Sequence, residues 1–176
     1  GYLSLEDTRN YLWTQDLKNT SITIPCPNQE EEEKEKRNVN MLINNSKTKM
    51  VTDYQNEHPV LKINIYTEAQ IIETQCREDL SKMETFSGLE KNAEKYIKGS
   101  VKETITKVQK EFGVDIFGFG EALNRQHYQK FKKVEDKWNK EFARAEVEVT
   151  VNLQLRRTGT KSKSFLTELL KETVEE

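Results

Sequence analysis

The sequence predicts an α+β fold, an antiparallel or mixed β-sheet with two long amphipathic helices packed on one face. Three observations carry this expectation. Period-two alternation dominates the first half of the chain, helical stripes dominate the second, and one further alternating segment follows the helices. Such a sheet keeps one face apolar under the helices and leaves the other polar and available.

Residues 1–16 carry Tyr2, Leu3, Leu5, Tyr11, Leu12 and Trp13 without a sustained period. A helix from Leu5 to about Gln15 fits, with Ser4 and Asp7 as its capping box, and the stretch reads as the end of a preceding domain or a linker. From Thr20, Ile22 and Ile24 alternate with Ser21 and Thr23 until Pro25 and Pro27 stop the strand. The charged run Glu30 to Arg37 reads as a solvated hairpin tip or a disordered loop, because lysines are mixed among its glutamates. Val39, Met41 and Ile43 alternate again, Asn44-Asn45-Ser46 reads as a turn, and Lys47 to Gln55 returns as a polar strand. Pro59 breaks the chain before a strand over Val60 to Tyr66. There Leu61, Ile63 and Ile65 share one face, and Lys62 and Asn64 the other. Ala69 to Thr74 continues the extended run after a bulge near Thr67.

Helical periodicity then takes over. Leu89, Ala93, Ile97, Val101, Ile105, Val108 and Phe112 form one apolar stripe, opened by a capping box at Ser87 and Glu90 and closed by Gly113. A short helix over residues 121–128 follows. Phe131, Val134, Trp138, Phe142 and Ala145 mark a second amphipathic helix, which runs almost directly into the strand Glu146 to Leu155. That strand alternates apolar and polar residues throughout. Arg156-Arg157-Thr158-Gly159 ends it, and residues 161–176 form an amphipathic or disordered tail with Phe165, Leu166, Leu169, Leu170 and Val174 at helical spacing.

Composition excludes some classes of function. The 176 residues make one domain's worth of chain, with 28 basic against 30 acidic residues, a balance that offers no global attraction for nucleic acid. No run approaches the roughly 18 apolar residues of a membrane-spanning helix, so this piece reads as water-soluble. Its first residue is Gly1, not Met, so it reads as an excised piece whose parent would carry any signal or anchor elsewhere. Cys26 and Cys76 can pair only if their Cα atoms come within about 7 Å. They are expected as reduced thiols in or near the core.

No catalytic constellation emerges, and no cofactor or metal is expected. His58 and His127 have neither nucleophile nor metal-ligand spacing around them. Gly118-Phe119-Gly120-Glu121 lacks the third glycine of a dinucleotide loop and follows no strand. Gly118 and Gly120 instead permit a tight turn between helices, with Phe117 and Phe119 anchoring it on the core and Asp115 capping it through backbone hydrogen bonds. Arg156, Arg157, Lys161 and Lys163 cluster after the last strand. An anionic lipid headgroup suits them better than nucleic acid does, and a solvated strand end remains the plainer reading.

One ordered series is distinctive: Val108-Gln109-Lys110-Glu111-Phe112-Gly113-Val114-Asp115-Ile116-Phe117-Gly118-Phe119-Gly120, then Lys132-Lys133, Trp138, Phe142, Val147-Glu148-Val149-Thr150-Val151 and Arg156-Arg157-Thr158-Gly159. Together with Val60 to Tyr66 and Ile71-Ile72-Glu73, it resembles the C-terminal domain of the Ger(x)C family, the lipoprotein C subunits of spore germinant receptors. The resemblance covers residues 17–158, with Gln126-His127-Tyr128 standing where that family often has a proline. It implies a non-enzymatic subunit, lipid-anchored in its full-length form on the outer face of the spore inner membrane. There it would work with the A and B membrane subunits, with no nucleic acid involved. The parent's anchoring cysteine would lie outside this piece.

No ligand site carries over with the resemblance. Asp115, Phe117, Gly118, Phe119, Gly120 and Trp138 read as a structural motif of turn and core. The candidate interaction surfaces are the polar face of the last strand, Glu148, Thr150, Asn152 and Gln154, the amphipathic tail, and the basic end at Arg156 and Arg157, one of which would dock another receptor subunit or the membrane surface. A domain that senses the germinant directly is the alternative, and it would need a concave apolar pocket with a few converging polar groups.

Overall fold

The computed structural model describes residues 2–27, 36–55, 57–77 and 79–156. Along them run α1 (Leu5–Leu12), β1 (Lys18–Pro25), β2 (Asn38–Gln55), β3 (His58–Thr74), α2 (Met83–Glu111), α3 (Phe119–Gln126), α4 (Tyr128–Lys132), a 3₁₀ turn (Glu135–Lys137), α5 (Trp138–Arg144) and β4 (Glu146–Leu155). The class is α+β, with the four strands in one sheet ordered β1-β2-β3-β4. β1 and β2 pair antiparallel, with Ile22 opposite Met41 and Ile24 opposite Val39. β4 runs in the same direction as β3, because Lys62 meets Glu148 while, further along both strands, the Arg156 N–H donates to the Ala69 carbonyl. The sheet is therefore mixed, and the helical segments form the long crossover that a parallel pair requires.

Chain contacts define two compact units. The first comprises residues 1–16, 47–66 and 97–152. Leu61, Ile63 and Ile65 of β3, Val101, Ile105 and Val108 of α2, and Val147, Val149 and Val151 of β4 are all buried in it. α1 opens with the capping box expected at Ser4 and Asp7 and is fastened by polar contacts. Asn10 Nδ2 donates to Thr104 Oγ1 at 3.0 Å, and Thr48 Oγ1 donates to the Trp13 carbonyl at 2.7 Å. Residues 1–16 are thus held within the first unit by β2 and the C-terminal part of α2.

The second unit comprises residues 17–46, 67–96 and 153–176, described to Arg156. Ile24, Val39, Met41, Ile43, Ala69, Leu89 and Ala93 are its fully buried apolar residues. Within it Glu94 and Glu90, one turn apart on α2, accept from the backbone N–H groups of Leu153 and Leu155, each at 2.9 Å.

Several expectations are corrected. Cys26 and Cys76 are not reduced thiols but a disulfide, with Cα atoms 5.5 Å apart. The register explains it. Pro25 pairs with Asn38, and Asn38 in turn bonds Gln75 through its carbonyl and its N–H, so both cysteines arrive at the same end of the sheet. Asn44-Asn45-Ser46 is not a turn, because β2 continues through it. Instead the buried phase shifts there, from Val39, Met41 and Ile43 to Ser46 and Thr52. No bulge interrupts β3 near Thr67, since Leu61, Ile63, Ile65, Thr67 and Ala69 keep one phase. Pro59 does not precede that strand but lies second in it, where the lost N–H is tolerated.

The long helix begins at Met83, a turn ahead of Ser87 and Glu90, so those two do not cap it. Asp79 shapes the preceding turn by accepting from the Ser81 N–H at 2.9 Å. The second long helix is not continuous either. Lys132, Lys133, Glu135, Asp136 and Lys137 leave it no buried stripe there, and a short helix without packing is marginal in water. Three-residue hydrogen bonds at Lys133, Val134 and Lys137 replace the α-helical ones. Residues 30–35 of the charged run and the tail from 161 lie outside the described residues.

Candidate functional site

α2 ends at Glu111, and Gly113 follows it with a φ of +61°, the left-handed conformation that a helix terminus favours in glycine. Two residues later the Asp115 carboxylate gathers the chain around itself. Its Oδ1 accepts from the N–H groups of Phe117 at 3.1 Å and Gly118 at 3.0 Å. Its Oδ2 accepts from the Gly120 N–H at 2.7 Å and from Trp138 Nε1 at 2.9 Å. Gly118, with φ of +89°, has no side chain to cap α3. Asp115 supplies that cap from outside the helix and ties α5 to it through the indole.

Around this turn the rings of Phe117, Phe119 and Phe142 stand with centroids 6.1–6.3 Å apart, and Tyr11 lies 5.8 Å from Phe117. The polar backbone inside the cluster is satisfied by side chains. Thr52 Oγ1 donates to the Phe119 carbonyl at 3.1 Å. Gln109 Nε2 donates to the carbonyls of Phe142 and Ala145 at 2.7 and 2.9 Å. The four donors that converge on Asp115 tie the turn, α3 and α5 together, and the arrangement orders a core.

The residues expected on the interaction surface lie elsewhere. β4 alternates without a fault, its odd-numbered residues buried and its even-numbered ones exposed. In the first unit, Glu148 pairs loosely with Lys62 at 3.8 Å. Thr150 and Asn152 are exposed with no side-chain partner among the described residues. In the second, Gln154 is likewise exposed and unengaged. Arg156 donates from Nη2 to Glu68 Oε1 at 2.6 Å, a hydrogen bond that holds the Glu68 carboxyl below its usual value and raises the guanidinium. Arg157 lies outside the described residues.

Sequence reasoning missed Glu90 and Glu94, which occupy outward backbone N–H groups of β4. Four-residue spacing on a helix put them on one face, but nothing in their neighbourhood named a strand edge as the partner. Among the described residues no group of three or more His, Cys, Asp or Glu side chains could hold a metal ion, and no helix is long and apolar enough to cross a membrane.

A family model described as spore germination B3/GerAC like, C-terminal, matches residues 1–159. "Spore germination protein KC" of Bacillus subtilis (strain 168) is 25% identical over 125 residues, covering 70% of this chain and 30% of that protein. "Spore germination protein B3" of the same organism is 23% identical over 164 residues, 93% of this chain and 42% of that protein. A solved structure titled "Crystal Structure of the GerBC protein" superposes with a TM-score of 0.73 at 21% identity, covering 89% of this chain and 47% of that one. It shares the fold described above. This chain spans less than half the length of each of these relatives.

Proposed function

Because this chain belongs to the Ger(x)C family, as a GerAC-like C-terminal domain, we propose that it is a non-enzymatic part of a nutrient germinant receptor needed for spore germination. It acts through protein–protein contacts with the A and B membrane subunits. The observation that supports this most directly is the match of the family model over residues 1–159. The wet face of β4 supplies the contact surface, with Thr150 and Asn152 in the first unit and Gln154 in the second unengaged among the described residues, and with Arg156 exposed in the second unit. Its polar, uncrowded side chains suit a surface that exchanges water for partner groups.

The full-length parent sits at the outer face of the spore inner membrane through an N-terminal lipid anchor. The Cys26–Cys76 disulfide supports a location beyond the reducing cytosol. The Asp115 turn contributes by fixing the helices whose packing holds β4.

Capture of the A and B subunits from spore membranes, with the parent protein intact or lacking this domain, tests the reading. Loss of both partners on deletion is the expected result. Thr150→Glu combined with Asn152→Lys, at two exposed positions without a side-chain partner among the described residues, is expected to weaken capture while leaving the thermal midpoint of the domain unchanged. Full capture and normal germination in both variants would overturn it.

A further inference from the structure

A cleft of about 400 Å³ opens in the first unit between the end of β2 and the α4–α5 segment, lined by Tyr54, Lys130, Lys133, Val134, Lys137 and Arg144, with Glu57 and Glu141. We propose that it binds a phosphate group, either of a small phosphomonoester or of a lipid headgroup. This site is separate from the β4 face and from the subunit contacts assigned to it.

The Tyr54 hydroxyl is buried and has no hydrogen-bond partner among the described residues. A buried hydroxyl left unpaired is costly, and such groups are otherwise almost always satisfied. Lys130 and Lys133 form no ion pair among those residues, and Lys137 reaches Glu141 only at 3.8 Å. The buried carboxylate of the cleft, Glu141, is committed to Arg144 through Oε2. It accepts from Arg144 Nη2 at 2.6 Å and Nε at 3.2 Å.

Arg144 is fixed in turn by the Glu57 carbonyl at 3.0 Å and by contact with His58 Nδ1 at 3.3 Å. The cleft therefore sets a phenol, three lysines and Arg144 against two carboxylates, Glu57 and Glu141, a net positive lining with more donors than acceptors. Its complement is a compact, acceptor-rich anion. Lysines bind phosphate as point charges, and a phosphate's terminal oxygens can accept from several converging donors where a carboxylate offers fewer. Burial, reinforced by the Glu141 carboxylate, raises the phenol above its usual pKa, so it remains a donor at neutral pH.

The test titrates the domain with inorganic phosphate at constant ionic strength, with chloride as the reference. It also measures cosedimentation with phosphatidylcholine vesicles with and without phosphatidylglycerol. Saturable binding in one arm or both is expected, and it weakens about tenfold in Tyr54→Phe and in Lys133→Ala. Tyr54→Phe removes only an unpartnered hydroxyl, so its thermal midpoint should not fall. Lys133 is exposed, and its variant keeps the test decisive whatever the first does to folding.

Binding of free phosphate alone assigns a soluble phosphomonoester; residue-dependent binding to the anionic vesicles alone assigns a headgroup. The proposal is overturned if neither probe binds, or if both variants bind as the parent does.

Discussion

The indole of Trp138 stands where a β-carbon on Gly120 would have to go. An ideal β-carbon there would lie 2.6 Å from Nε1 and 2.9 Å from Cδ1. The two residues are also joined through a third, since the Gly120 N–H and Trp138 Nε1 both donate to Asp115 Oδ2. Glycine is required at 120 by close approach, whereas at Gly118 it is required by a φ of +89°. Two glycines in one motif thus answer two different physical demands.

Gly120→Ala should accordingly destabilise the domain by about 1–3 kcal/mol, the usual cost of forcing extra volume into a packed site. The discriminating measurement is a double-mutant cycle by chemical denaturation. In a Trp138→Leu background the alanine has room, so its additional cost should fall well below its cost in the parent. Equal costs in the two backgrounds would mean that the indole is not what excludes the methyl group.

Asp115 shows how far the chain's own pattern could be read. An aspartate before a Gly-Phe-Gly turn is a local cap, and such bonds form within a few residues, as those to Phe117 and Gly118 do. Its bond to Trp138 spans 23 residues and depends on the break in the helix between α4 and α5. The α2 stripe and the β4 alternation were equally legible, because each is a local period with one buried face. What stayed hidden was set by register. The phase shift in β2, the meeting of Cys26 with Cys76, and the reach of Glu90 and Glu94 to β4 follow from which strands lie side by side. The Tyr54 cleft escaped notice for the same reason, since its basic side chains come from a segment that reads as an ordinary charged helix face.

Removing the Cys26–Cys76 bridge should lower stability by about 2–4 kcal/mol. The bond closes a loop across a sequence separation of 50 residues, and the chain-entropy treatment of such a loop gives a value near the upper end of that range. Urea denaturation of the domain with and without reductant, beside a Cys26→Ala/Cys76→Ala variant, measures it. Reductant should shift the midpoint of the parent and leave the variant unmoved. A parent indifferent to reductant would show that the bridge contributes nothing beyond the packing of its half-cystines.

Acid should expose the other long-range tie, between α1 and α2. Asp7 is buried, and its carboxylate accepts from Lys107 Nζ at 2.6 Å and from Ser4 Oγ at 2.7 Å. The lysine hydrogen bond first, and then the serine one, lower its pKa from 3.8 to about 2. A carboxylate whose folded pKa is depressed adds stability that is fully present above its unfolded pKa. That contribution is lost as the pH falls through the folded one. The window therefore runs from pH 3.8 down to about 2. Lys107 is partly exposed, so solvent screening reduces the contribution to on the order of 1 kcal/mol. Asp7→Asn should cost about that much at neutral pH and progressively less through this window, so that the stability curves of parent and variant converge near its acid end. Urea midpoints taken across the window decide it, and a gap that stayed constant down to the lowest pH would place the stabilisation in shape and packing, not in the charge of Asp7.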